Sequence, residues 1–190
     1  MSSKLEHLQL TPLIAHFWIL AQYNRLVNCR LYEVCAKLCD RDLRFAAALG
    51  DRKQTRPAFF KSIHGTLNHI MVGDRIWLTR FEGKQIPSTR LDAILYENFD
   101  ELWAVRVSED TRIEEFIWSI EESFLFHNIR YQNNWGNIHN DPVTLLLAHF
   151  FNHQTHHRGQ IHDMLRQTEV APPVLDMHRV ICPDPENISS

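Results

Sequence analysis

Leu13, Phe17, Leu20, Asn24, Val27, Leu31, Val34 and Leu38 recur every three or four residues. Apolar positions at that spacing line one face of an α-helix, and a strand would scatter them over both of its faces. The run lasts about seven turns at 3.6 residues per turn, too long for anything but a long helix packed along a core. Thr11-Pro12 opens it, a cap residue followed by proline at the first helical position, and the pattern predicts a helix to about Cys39. Asn24 is the polar exception on the stripe. It either ties helices together or faces a wet cavity.

Further long elements follow. The charged stretch 40–56 reads as a connection with room for a short helix. Ile63, Leu67, Ile70, Asp74, Trp77 and Phe81 share a face, predicting a second helix over 57–82 that stops at Gly83. A third pattern spans 92–123 as one helix or two, since Thr111 and Glu114 have the spacing of a capping box. Residues 124–140 read as a short hairpin or ordered loop. A last helix opens at Asp141-Pro142, runs to about Gln167 and is stopped by Pro172-Pro173. With only six glycines, the chain is built of long elements with few turns. The expectation is an all-α four-helix bundle with a crossover connection, one domain over 1–182, and a polar tail over 183–190.

Composition narrows the function. Apolar residues make up 44% of the chain, enough for a sizeable core and too many for a disordered protein. The net charge is −3 and no run of Lys or Arg exceeds two, so no phosphate-tracking surface and no nucleic-acid partner are expected. No apolar run approaches the roughly 18 residues that span a bilayer, and the first residues lack the apolar segment of a signal peptide. No membrane partner and a cytoplasmic location are therefore expected. Cys29, Cys35, Cys39 and Cys182 include no CxxC pair and read as small, partly buried residues in a reducing compartment, although Cys35 and Cys39 are one turn apart and could hold zinc.

Chemistry concentrates in HFFNHQTHHRGQ, residues 149–160. Leu146, Phe150, Ile161 and Met164 fix the inward side of that helix without reference to its histidines. His153 and His157 project into the middle of the sector, about 40° apart. His149 and His156 lie toward its edge, and His162 well off it. Two inward imidazoles one turn apart can converge on one cation, but two core or solvated histidines fit the same pattern. The second helix offers His69, on the flank of its stripe beside the small residues Thr66 and Gly73. Asp74, inward on that helix, is an ion-pair partner for an arginine, an acceptor for a histidine N–H, or a general base. Arg158 projects away from the inward histidines, which suits an ion pair with a neighbouring helix. Gly159 suggests close helix packing, and Gln160 lines the pocket or orients a ligand. Gln154 stands where a zincin would carry glutamate, which disfavours that chemistry.

TLNHIMVGDRIWLTRF, followed after about eighty residues by HFFNHQTHHRGQIHDML, with QYNRLVN in the first helix, resembles the DinB/YfiT-like family. The resemblance covers about Leu13 to Leu165. It implies a four-helix bundle, a homodimer, and a divalent metal held by three histidines, which fall here on His69, His153 and His157. His156 is then a neighbour and not a ligand. His127 and His139 have no counterpart and could approach the metal from a loop.

Three ligands leave a coordination position for water or substrate, the mark of a catalytic site, whereas a fourth protein ligand would mark a structural one. Cys35, Cys39, His127 and His139 are the candidates for that closure. The resemblance implies zinc or nickel, a small-molecule substrate and, in thiol S-transfer, a low-molecular-weight thiol; metal-assisted hydrolysis is the second enzymatic reading. A non-catalytic metal-binding or ligand-binding stress-response protein is the alternative from a different class.

Overall fold

The computed structural model describes residues 11–38, 40–44, 60, 62–85, 89–133 and 135–184. Its helices are α1 (Pro12–Cys35), α2 (Asp40–Arg44), α3 (Ile63–Phe81), α4 (Phe99–Ser119), α5 (Glu122–Leu125), α6 (Val143–Leu165) and α7 (Met177–Ile181). An antiparallel hairpin of β1 (Asn128–Gln132) and β2 (Ile138–Pro142) precedes α6, with Ile129 opposite Asp141 and Tyr131 opposite His139. The expected all-α bundle is what forms, with α1 packing on α4, α3 on α6, and contacts of α1 with α6 and α3 with α4 closing the ring. Each long helix of such a bundle packs at least one stripe into the core.

Local chemistry sets the starts of three of the long helices. Ser62 Oγ accepts the Gly65 N–H at 2.8 Å and starts α3, and Asn98 Oδ1 accepts the Glu101 N–H at 3.0 Å and starts α4. Thr11 sits at the cap position of α1 but its side chain makes no cap bond, so Pro12 alone gives the local start signal. The third pattern is one helix: Thr111 lies inside α4, and its hydroxyl donates to the Val107 carbonyl one turn back at 3.1 Å. Its first residues, including Leu95, precede the helix in an irregular segment. Pro57, Cys39 and Asn134 lie outside the described residues, as does most of the connection after α2 and of the C-terminal tail.

The buried face of α1 is rotated slightly from the predicted stripe. Ile14, Phe17, Ala21, Asn24, Val27, Asn28, Leu31 and Cys35 are buried, whereas Leu13 is exposed; Ile14, Ala21 and Cys35 pack in the bundle core and Asn28 bonds Asp110, while α7 covers Tyr23 and Val27. Along α3, every residue from Ile63 to Asp74 is buried.

Two apolar clusters fill the bundle. One, toward the hairpin end, contains Phe17, Leu78, Phe81, Ile113, Ile117, Leu147 and Phe150. The other contains Leu31, Tyr32, Ile63, Leu67, Met71, Leu102, Ile161 and Leu165. Between them, at mid-height, lies a buried polar layer contributed by all four long helices. Arg106 Nη1 donates to Asp74 Oδ2 at 2.6 Å, and its Nη2 lies 3.0 Å from Asp110 Oδ1. Asn24 and Asn28 donate to Asp110 Oδ1 at 3.1 and 2.9 Å, and Gln154 Nε2 donates to Asp74 Oδ1 at 2.8 Å. Arg158 donates to Asn24 Oδ1 and to Thr155 Oγ1. Two guanidinium groups thus balance two carboxylates, which is how buried charges are tolerated. Asn24 ties helices together. Arg158 bonds to amides of α1 and to its own helix, not to a carboxylate as the sequence reading expected, because the neighbouring turns of α1 present Asn24 and Asn28 to it.

Candidate metal centre

The site lies on the α3–α6 seam, beside the polar layer. His69 and Gly73 are one turn apart on α3, and His153 and His157 one turn apart on α6. His157 lies against His69 and His153 against Gly73, so the two helices run antiparallel in that register. His69 Nε2 is 3.1 Å from His153 Nε2 and 3.1 Å from His157 Nε2. One ring nitrogen from each of the three lies within 4.8 Å of the other two, the one such group of histidine, cysteine or carboxylate ligands among the described residues.

Outer partners decide which nitrogen of two rings is bare. His69 Nδ1 is 2.7 Å from the Leu91 carbonyl oxygen, which only accepts, so Nδ1 carries the hydrogen and Nε2 a lone pair. Asn68 holds the same irregular segment farther along: its Oδ1 accepts the Leu95 and Tyr96 N–H groups at 2.9 and 3.0 Å, pinning it to α3. His157 Nδ1 donates to Gln160 Oε1 at 2.8 Å, leaving its Nε2 bare in the same way, and Gln160 Nε2 donates to His156 Nε2 at 3.2 Å. The bare nitrogens of His69 and His157 therefore face each other with no hydrogen between them. Two lone pairs at 3.1 Å repel unless a cation lies between them. A tetrahedral ion with bonds of about 2.0–2.1 Å sets its nitrogens about 3.3 Å apart, so the three residues fit such an ion.

A proton is a poor substitute for it. Burial pushes His153 down to about 3, helped by the neighbouring His157 and His69, and pushes His157 down to about 4 against the pull of Gln160. Burial lowers His69 too, opposed by the Leu91 carbonyl. All three rings are neutral near pH 7, the form that ligates metals.

The nitrogens form one wall of an open cavity of about 670 Å³. Phe60 stacks on His69 with centroids 3.8 Å apart and meets His157 edge-on; Leu91, Asp92, His156 and Gln160 complete the lining.

Cys39 lies outside the described residues; the other candidate site residues can be placed. Gln160 both lines the cavity and orients His157. Asp74 is the ion-pair partner of Arg106, fully buried, with its oxygens held by Arg106 and Gln154. Among the contacts of the described residues neither oxygen meets a histidine N–H, and Asp74 is not among the residues that line the cavity. Burial raises its pKa and Arg106 opposes that rise. His149 and His156 are exposed, as their edge positions imply, and His149 packs edge-on against Trp77. His127 is exposed at the start of the hairpin, and His139 stacks on Tyr131 and bonds Asn133, so neither joins the cluster. Cys35 is buried in the second apolar cluster. Gly159 is exposed, with nothing within 4 Å of where a Cβ would sit, so it permits no close packing.

Sequence reasoning missed Phe60, the Leu91 carbonyl and Arg106. Arg106 alone left a signal: it falls four residues after Leu102 and seven before Ile113, an inward position on α4.

Fold and site together define a helical bundle with three convergent histidines, able to hold a metal and open on one side. The chain belongs to the DinB family, whose model matches residues 1–186. It is 30% identical over 116 residues to Protein DinB of Bacillus subtilis (strain 168), an alignment covering 59% of this chain and 67% of that one. Among the described residues no helix is long and apolar enough to cross a membrane.

Proposed function

We propose that the chain holds one divalent ion, zinc or nickel, through Nε2 of His69, His153 and His157, and acts on small molecules as a metal-dependent enzyme of the thiol S-transferase or hydrolase type. The observation that carries this reading is the bare Nε2 pair of His69 and His157, fixed from outside by Leu91 and Gln160 and aimed at one point on a cavity wall. Neutral imidazole suits zinc and nickel. Among the described residues no fourth protein ligand joins the three, which favours an open, catalytic site over a closed, structural one. An ion held there supplies Lewis acidity, which favours the anion of a low-molecular-weight thiol or of water at neutral pH.

The chain's own groups prepare the site. Leu91 and Gln160 hold two of the ligands in the correct tautomer. Phe60 covers His69 and shields it from bulk water. Asp92, His156 and Gln160 give the cavity polar groups beside the apolar surface of Phe60 and Leu91, a mixture that suits a small molecule. The homodimer is part of the same proposal. Phe126, Trp135, Ile138 and Leu145 are exposed apolar residues that such an interface would cover, and light scattering at about twice 22.4 kDa is the expected reading.

The test is turnover by zinc-loaded and nickel-loaded protein, with thiol and electrophile pairs and with hydrolysable esters. Turnover that disappears on chelation and returns with metal is expected for one of the two classes. Metal-loaded protein that turns over neither would sink the enzymatic reading and leave a metal-binding protein.

A further inference from the structure

We infer that Gly73 is a positioning residue of the histidine site: its missing side chain is what lets the His153 ring reach the other two imidazoles. The inference rests on the reading of the cluster as a metal centre. A Cβ at position 73 would lie 2.8 Å from His153 Cε1, 3.3 Å from Nδ1 and 3.7 Å from Nε2. The first of these distances is well inside carbon–carbon contact. The ring would have to turn aside and carry Nε2 away from His69.

The three ligands are thus oriented by different means. His69 has the Leu91 carbonyl and His157 has Gln160. Among the described residues no hydrogen bond from outside the cluster reaches His153, whose Nε2 lies 3.1 Å from that of His69. What sets its ring from behind is contact with the backbone of α3, and only glycine lets the backbone come that close.

Nothing in the backbone calls for glycine there. Gly73 lies within α3, and among the described residues the glycines with positive φ are Gly83 and Gly136. A helix interior favours alanine over glycine, so the residue costs helix stability at this position and returns ligand geometry. Gly159 supplies the contrast: it also lies inside a helix, but a Cβ there meets nothing within 4 Å.

A double-mutant cycle between Gly73→Ala and His153→Ala separates this idea from a general packing effect. Zinc affinity is read by competition with a chromophoric chelator, ligand number by the visible spectrum of the cobalt(II) form, and folding by thermal melts of the metal-free proteins. Gly73→Ala is expected to weaken zinc binding about 10–100-fold, the scale of losses from disturbing ligand orientation, and to move the cobalt spectrum toward that of His153→Ala. In the His153→Ala background the same change should cost no further affinity and should raise the melting temperature. Gly159→Ala should leave zinc affinity and the cobalt spectrum unchanged. If Gly73→Ala alone fails to fold, the clash predicts that the double variant folds; a double variant that also fails overturns the inference. So does Gly73→Ala protein with wild-type affinity and spectrum. Wild-type protein that takes up no zinc or cobalt overturns the metal reading, and this inference with it.

Discussion

At the scale of single residues, Gln160 orients a candidate ligand without belonging to the histidine cluster itself. Its Oε1 fixes the His157 tautomer while its Nε2 holds His156. Gln160→Leu, close in size but without an acceptor, should weaken zinc binding about 10–100-fold, whereas Gln160→Glu, which keeps the acceptor, should bind at least as tightly as wild type; chelator competition reads both. His153 and His157 predict the pH response of the metal-free protein. Exposed imidazole titrates near 6.5, while burial holds these two at about 3 and about 4. Between pH 6.5 and those values the unfolded chain takes up protons that the folded chain refuses, so stability is full above that window and falls as the pH drops through it. Asp110 has the opposite sign, because burial raises it to about 6 and the folded carboxyl is then protonated first. Melts of chelator-treated wild type and His153→Ala between pH 7.5 and 5 separate the two, and the wild type should lose more stability than the variant; equal slopes would contradict a buried, neutral His153. The inward pair was legible in the sequence because helical periodicity alone separates it from His149 and His156. The Leu91 carbonyl and the Phe60 ring were not, since neither a backbone oxygen in an irregular segment nor a stacking partner outside a helix leaves a periodic trace.

At the scale of elements, the four long helices followed from apolar spacing and their ends were harder to place. The third pattern overran because Leu95 packs on the core from outside the helix. The Thr111–Glu114 pair imitates a cap, but its hydroxyl is spent on Val107. The polar layer was harder still. A charge on an apolar stripe reads as an exception until its partners on other helices are known, and Asp74 gave no hint of choosing Arg106. That choice has a consequence for stability. Arg106→Met fills similar space but strands Asp74 and Asp110, and removing one partner of a buried charge cluster typically costs about 3–5 kcal/mol. Urea unfolding should show a loss of that size with an unchanged m-value. A loss of about 1 kcal/mol or less, the scale of surface pairs, would mean that the layer is better hydrated than its burial indicates.

At the scale of the whole molecule, the site and the polar layer occupy the same level of the bundle, and His153 is next to Gln154, which grips Asp74. Ligands on two antiparallel helices keep their spacing as long as the bundle holds. Binding at the seam should in turn hold the bundle, by about 2.7 kcal/mol when free metal is a hundred times its dissociation constant. The central claim is that His69, His153 and His157 share one ion, and metal analysis of purified protein tests it most directly. Wild type loaded with zinc or nickel and freed of excess should carry about one ion per chain, and His69→Ala and His153→Ala, folded by circular dichroism, should each lose most of it. Full metal content in both variants would contradict the account.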